Sequence, residues 1–258
     1  MGFWESIEAT FTALRTAQEA IPFHIQMLHD FYQSFVEGDR WLLYLKGLGT
    51  TFQITIAALI LGVILGILVA VVRTSHDQQR VGRRNPVLGF FNVICKIYTT
   101  VIRGTPMMVQ LLIMYFVIFA GTRNTLGVAM LTFGINSGAY VAEIIRGGIM
   151  SVDPGQMEAG RSLGLSYVPV MKEIVIPQAI KNILPALGNE LITLFKETSI
   201  VTVIGLVDLT KVAIQIQART YQALMPFFGI ALVYLVVVMV LTWLLGIFER
   251  RLRQSDKR

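Results

Sequence analysis

The residues whose types and spacing could do chemistry lie inside or beside long apolar runs. Glu190, Thr193 and Glu197 fall at i, i+3 and i+7, on one face of a helix, with Asn189 and Lys196 beside them. Asn136, Tyr140 and Glu143 follow at i, i+4 and i+7, a second such face. Ionisable groups within a membrane span are costly, so each face turns toward a pathway, a partner charge, or both. His24, His29 and His76 have no metal-ligand spacing, and no nucleophile stands beside a base in these runs. What remains is non-covalent: carboxylates, amides and hydroxyls able to hold a polar solute or one another.

Depth divides these residues. If their two helices leave the membrane near residues 149 and 183, Asn136 and Glu197 lie about 20 Å deep, and Glu143 and Glu190 about 10 Å deep. The deeper layer, Glu197, Thr198 and Ser199 with Asn136 and Ser137, is the expected substrate pathway. The competing account has Lys196 and Glu197 neutralising their neighbours and Asn136 only joining helices. The shallower layer, Glu143 and Glu190, is expected to be structural and to pair with Arg103 or Arg146.

The elements that carry these side chains follow from composition. Of 258 residues, 54% are hydrophobic and 15% charged, with mean hydropathy +0.64. That excludes an ordinary cytosolic enzyme and predicts an all-α membrane protein. Five transmembrane helices are expected at about 54–72, 105–120, 126–146, 183–206 and 227–248. The second has the weakest start, because 107–120 is short and must borrow from Thr105 and Pro106 or from 93–102. Fifteen lysines and arginines fall in the segments 73–104, 143–182 and 249–258, against six on the opposite side. Basic loops stay in the cytoplasm, so the N-terminus is expected outside and the C-terminus inside. The same loops account for the net charge of +6 without nucleic acid. Arg80, Arg83 and Arg84 are expected to anchor one loop to anionic lipid. Gly62 and Gly66 form a small-xxx-small pair suited to close packing within the chain. Cys95 is the single cysteine, so no internal disulfide forms.

Residues 1–46 read as an extracytoplasmic extension ahead of the membrane domain, 47–258. No basic n-region and apolar core mark a cleavable signal there. Trp4, Ile7, Phe11, Leu14 and Ile21, then Ile25, Leu28, Tyr32 and Phe35, recur at helical spacing, which predicts two short amphipathic helices on the membrane interface. Trp41 and Tyr44 fit an aromatic belt just before the first span.

The segment 150–177 is too long for a hairpin and too well punctuated for a linker. Asp153, Pro154 and Gln156 read as N-cap, N1 and N3 of a helix that ends near Leu163. Gly164 breaks it, Ser166 caps a second short helix, and Pro177 and Pro185 mark further changes of direction.

Glu158, Ala159 and Gly160, then Gly164, then Ile174, Val175, Ile176 and Pro177 together resemble the EAA signature of membrane subunits in ABC-type importers. Glycine stands for the usual third alanine, and isoleucine for the usual leucine before proline. Further segments are similar to the permeases for polar amino acids: Arg103 to Pro106 with Val109, Gln110 and Leu111; Asn136 to Gly148; and Leu184 to Ser199. The resemblance covers roughly residues 40–250 and implies a type I importer membrane fold in the bacterial cytoplasmic membrane. It also implies the partners: a cytoplasmic ATPase dimer carrying ATP and Mg, a second permease subunit, identical or homologous, and an extracytoplasmic solute-binding protein. Residues Glu158, Ala159, Gly160, Gly164, Ile174, Ile176 and Pro177 would form the coupling loop, with Glu158 facing the ATPase, and Gln110 would join the pathway.

No stretch reads Gly-x-x-x-x-Gly-Lys-Ser/Thr, so this chain has no P-loop and is expected to bind no cofactor and to act as a transport subunit rather than an enzyme. An ion-coupled secondary transporter or channel would also carry intramembrane charge, but those folds usually repeat, and no internal duplication is evident.

Overall fold

The computed structural model describes residues 2–79 and 85–254. Arg80, Arg83 and Arg84 lie outside the described residues. The elements are α1 (Phe3–Thr16), α2 (Phe23–Phe31), α3 (Arg40–Asp77), α4 (Pro86–Gly104), α5 (Met107–Ile113), α6 (Thr125–Met150), α7 (Pro154–Ser162), α8 (Tyr167–Val170), α9 (Ile176–Glu197), α10 (Leu209–Thr220) and α11 (Leu224–Gln254). Wider π turns at Tyr32–Val36, Met114–Ile118 and Met171–Val175, and tighter 3-10 turns at Glu37–Asp39 and Thr198–Ile204, join or extend them. Among the described residues, four helices are long and apolar enough to cross a membrane. They are those that contain α3, α4, α6 and α11, and the pair ending in α9 and α10, bent by 48°, makes a fifth if it is one span.

The second span departs from expectation. Residues 86–104, of which the sequence offered only 93–102 as a possible start of the second span, form a 19-residue helix. The Asn85 side chain caps it, accepting from Val87 N at 2.9 Å and Leu88 N at 3.4 Å, and Pro86 occupies its first turn. The helix is strongly amphipathic, with Asn92, Lys96, Thr99 and Arg103 along it, and it is the least apolar of the four candidate spans. It breaks at Thr105 and Pro106, after which α5 resumes. Pro106 has no N–H for the carbonyl of Ile102, four residues back, and the Gln110 amide donates to that oxygen instead, at 2.7 Å.

Close contacts at glycines fix the helix directions. A Cβ on Gly62 would stand 2.8 Å from Ser137 Cβ, and Gly66 abuts Val141 and Ala142. The numbers rise together, so α3 and α6 run parallel, and the Gly62/Gly66 pair packs inside the chain. Gly148 of α6 lies against Ala179 and Ile183 of α9, whereas Ser137 bonds Glu190, so these two helices are antiparallel. Gly188 abuts Leu245, and the Phe195 ring lies 5.5 Å from that of Tyr234, which makes α9 and α11 antiparallel as well. Helix α4 opposes α3, since Asn92 meets His76 and Thr99 meets Arg73. Thus α3, α6 and α11 point one way and α4 and α9 the other, with α7 and α8 at the end where α3 and α6 finish.

Ile54, Ala58, Leu111, Ala129, Phe133, Leu194 and Val201 form the core where α3, α5, α6 and α9 meet. A second cluster, Tyr44, Leu209, Val212, Ala213, Ile216 and Ile230, seats α10 between α3 and α11. Asp208, fully buried, caps α10 by accepting from Lys211 N at 2.9 Å and Thr210 N at 3.1 Å.

Candidate functional site

The polar residues of the spans separate into three groups. In the first, Ser137 Oγ donates to Glu190 Oε1 at 2.8 Å, and Asn136 Nδ2 donates to Gln110 Oε1 at 3.0 Å. Gln110 is held in turn by Ile102 O and by Thr105 Oγ1 at 2.8 Å. Asn136 and Ser137 are buried. This corrects the expected layering, because Glu190 stands level with Ser137 and not with Glu143. The expected depth took residue 183 as the cytoplasmic end of α9, whereas α9 begins at Ile176. From the contact of Gly148 with Ala179, equal steps of about 16 Å along the two helices arrive at Ser137 and at Glu190.

The second group is the open face of α9. Asn189, Thr193, Lys196 and Glu197 are all exposed in the single chain, on an amphipathic helix whose Ile192, Leu194 and Phe195 are buried. Thr198, expected beside Glu197, is instead fully buried and donates to Phe195 O at 2.8 Å, and Ser199 is half-buried. The residues expected to form one cluster therefore point in different directions: Asn136, Ser137 and Gln110 inward among helices, Thr198 into the core, Glu197 outward.

The third group is ionic. Glu143 pairs with Arg73 of α3 and with Arg146, whose Nη2 lies 3.0 Å away. Arg73 also donates to Thr99 Oγ1 of α4 at 3.2 Å, and Arg146 reaches Asp77 at 4.0 Å. Of the two partners expected for Glu143, Arg146 is present. Arg103 instead lies over the Tyr140 ring, 5.3 Å from its centroid. Arg73 was missed because it reads as the residue that ends the first apolar run.

The loop between α6 and α9 is built by local chemistry. Asp153 Oδ1 accepts from Gly155 N at 2.7 Å and caps α7. At the other end Leu165 N bonds Gly160 O at 3.2 Å and Gly164 N bonds Arg161 O at 3.0 Å, a Schellman motif. It requires Gly164 at φ +85, where a side chain would be strained. Gly160 packs on Val170, with a Cβ there only 2.8 Å from Val170 Cγ2, so α7 folds back onto the segment leading to α9. Pro177 does not redirect the chain as expected. The π turn at Met171–Val175 precedes it and relieves the clash of its ring with the carbonyl four residues back, so the helix continues through Pro177 and Pro185. Glu158 and Ala159 are exposed on α7, and Leu163 at its tip is 83% exposed. Between the loop and the end of α3 lies a pocket of about 300 Å³ lined by Gln78, Met150, Asp153, Glu158, Arg161 and Tyr167 among others.

Comparison with known proteins places this geometry in context. Residues 85–254 match a family model described as the binding-protein-dependent transport system inner membrane component. The chain is 42% identical over 219 residues to the arginine transport system permease protein ArtQ of Bacillus subtilis (strain 168), covering 82% of this chain and 93% of the relative. It is 34% identical over 215 residues to the glutamine transport system permease protein GlnP of Escherichia coli (strain K12), with the same coverage. A crystal structure of an amino acid ABC transporter with histidines superposes with TM-score 0.73 at 43% identity, covering 81% of this chain and 94% of that one. The inward-facing MetNI methionine ABC transporter shares the fold, with TM-score 0.70 at 19% identity over 84% of this chain and 99% of that one.

Proposed function

The chain belongs to the family of binding-protein-dependent transport system inner membrane components, and from that premise we propose that it is the permease subunit of an ATP-driven importer of polar amino acids. The observation that carries this reading is the open face of α9. Lys196 and Glu197 stand exposed on the polar side of an amphipathic helix of the bundle, and lipid would not tolerate them, so a second permease subunit and a water-filled pathway would cover that face. Arginine and glutamine permeases among the relatives favour a solute with a cationic or amide side chain. Glu197 would meet that group, with Asn136, Ser137 and Gln110 lining the helix junction behind it. Glu143, Glu190 and Arg103 would hold helices together, and Lys196 would offset Glu197 when the pathway is empty.

The alternating helix directions support five crossings of a bacterial cytoplasmic membrane, with α4 and α5 together making the second. The loop of α7 and α8 would then be cytoplasmic, the C-terminus with it, and the N-terminus outside. On that side Glu158, Ala159, Gly160 and Gly164, backed by Ile174, Ile176 and Pro177, form the coupling surface for a separate ATPase dimer. The exposed Leu163 suits an apolar groove on such a partner. ATP and Mg would be bound there, and an extracytoplasmic binding protein would deliver the solute at the opposite end. The permease supplies force transmission and a path, with no covalent step.

The test is ATP-driven uptake of radiolabelled arginine and glutamine into proteoliposomes with the cognate binding protein. Glu197→Gln keeps the volume and removes the charge, so arginine uptake should fall about ten-fold or more while glutamine uptake falls less, a charge-assisted hydrogen bond being worth roughly 1.5–3 kcal/mol. Unchanged rates for both solutes would leave Glu197 with only a structural role.

A further inference from the structure

Helix α2 is built inside out for a helix in water. Phe23, Met27 and Phe31, at i, i+4 and i+8, are exposed, Phe23 by 75%, whereas His29 is only 7% exposed and stacks on Phe11 of α1 at 3.6 Å. Trp4 of α1 likewise covers the inner side, 5.3 Å from the Tyr32 ring. The apolar stripe of α2 is therefore only partly covered by its own chain: Phe31 stacks on Trp4 at 6.1 Å, while Met27 and Phe31 turn toward α11. The start of α11 that they face belongs to a helix apolar on nearly every side and almost uncovered by the rest of the chain.

Between them runs a groove of about 490 Å³, with Met27, Phe31 and Phe35 on one wall and Phe228, Leu232 and Val233 on the other. Phe35 can reach across because Gly229 has no side chain to meet its ring. Among the described residues the groove is lined by apolar side chains and Gly229 alone, so water finds few partners in it. It opens onto the exposed Phe228 and Leu232, continuous with the face that α11 turns to the hydrocarbon through Leu235, Val236 and Met239. The end of α2 is tied in place: Gln222 Nε2 donates to Gln33 Oε1 at 3.1 Å, and Arg40 bonds the carbonyl of Gln33 and the carboxylate of Glu37.

We propose that this groove holds one acyl chain of a membrane phospholipid, gripped between the amino-terminal hairpin and the last span. The occupant follows from continuity: the groove is a side branch of a lipid-facing surface, open toward it, and apolar throughout. The hairpin thereby lies in the acyl region of its leaflet, deeper than a helix resting on the interface. The bound chain fills the space that α2 and α11 leave between them and so couples the extension to the bundle.

The permease, purified with its ATPase from phosphatidylethanolamine and phosphatidylglycerol membranes, can be weighed by native mass spectrometry under rising collision energy. Wild type should retain one phospholipid per permease chain beyond those shed early, and Met27→Trp/Leu232→Trp, which fills the groove, should lose it. Phe31→Ala removes one wall without adding bulk and should release the same lipid at lower energy, so it carries the test if the double variant does not fold. Equal retention in wild type and a folded variant would overturn the proposal, as would recovery of detergent, fatty acid or a second protein copy in place of phospholipid. Because the readout is lipid mass, it stands or falls separately from any transport assay.

Discussion

Ser137 on α6 donates a 2.8 Å hydrogen bond to the carboxylate of Glu190 on α9, and this one contact sets the register between the two helices that carry most of the intramembrane polar groups. It falls where an equal number of turns from Gly148 and Ala179 brings the helices level. If it braces the bundle, Ser137→Ala should destabilise the detergent-solubilised chain by about 0.6 kcal/mol, the average for interhelical hydrogen bonds in membranes, and by no more than about 1.7 kcal/mol. Glu190→Gln keeps an acceptor for Ser137 and should cost less. Thermal unfolding followed by tryptophan fluorescence measures both, and a Ser137→Ala midpoint equal to wild type would remove the brace.

Glu143 holds two guanidinium groups from two helices, and the nearest other ion pair in the group joins Arg146 to Asp77 at 4.0 Å. Removing the shared partner leaves partly buried cations, so Glu143→Ala should lose about 3–5 kcal/mol, discounted toward the lower figure because all three side chains keep some solvent contact. Expression and the unfolding midpoint should fall together, while the ratio of arginine to glutamine uptake by the surviving protein stays that of wild type. A changed ratio would move Glu143 into the pathway.

The parts of this structure legible in the sequence are those set by local chemistry. Asp153 with Pro154 marks the start of α7, and Gly164 adopts the left-handed backbone its position suggests, because caps and glycine turns are decided within a few residues. Trp4, Ile7, Phe11 and Leu14 are the half-buried face of α1, as their spacing implies. The register of α9 was not legible, since Pro177 reads as a helix boundary and only the π turn before it shows why the helix passes through. Helix α4 was only partly legible for a different reason: Asn92, Lys96, Thr99 and Arg103 interrupt its apolar run, and its full length rests on packing against α3 and α6, where Tyr98 donates to Ile135 O at 2.6 Å. The Glu197 group divided because the helix tightens into a 3-10 turn at Thr198, whose hydroxyl turns back to donate to Phe195 O and into the core, away from the exposed Glu197.

Coupling should depend on the Schellman turn at Gly164. Any non-glycine residue at φ +85 is strained, and Gly164→Asp also adds charge beside the exposed Leu163, whereas Glu158→Lys reverses the charge on the exposed face of α7. Each should reduce transport-coupled ATP hydrolysis in the reconstituted complex, or release the ATPase on size-exclusion chromatography, with the unfolding midpoint of the membrane subunit within a few degrees of wild type. Normal uptake by the Glu158→Lys/Gly164→Asp double variant would assign the coupling surface elsewhere.

Sidedness can be read from single cysteines in a Cys95→Ser background. The parallel course of α3 and α6, with α4 and α9 opposed, puts the loop of α7 and α8 and the end of α11 on one side, and the Glu37 turn and α10 toward the other. The excess of basic residues on the side of the α7–α8 loop favours that side as the cytoplasmic one. Glu37→Cys and Gln215→Cys should therefore react with an impermeant thiol reagent added to intact cells. Leu163→Cys, at the exposed tip of α7, and Glu249→Cys should react only after permeabilisation. Both members of a pair must behave alike, because an even number of crossings between Glu37 and Gln215 follows from the helix directions whatever the orientation. Labelling of Leu163→Cys and Glu249→Cys in intact cells, with Glu37→Cys and Gln215→Cys protected, would invert the orientation and keep the fold. Opposite behaviour of Leu163→Cys and Glu249→Cys would mean that α9 to α11 do not cross as a pair, and would overturn the five-crossing arrangement itself.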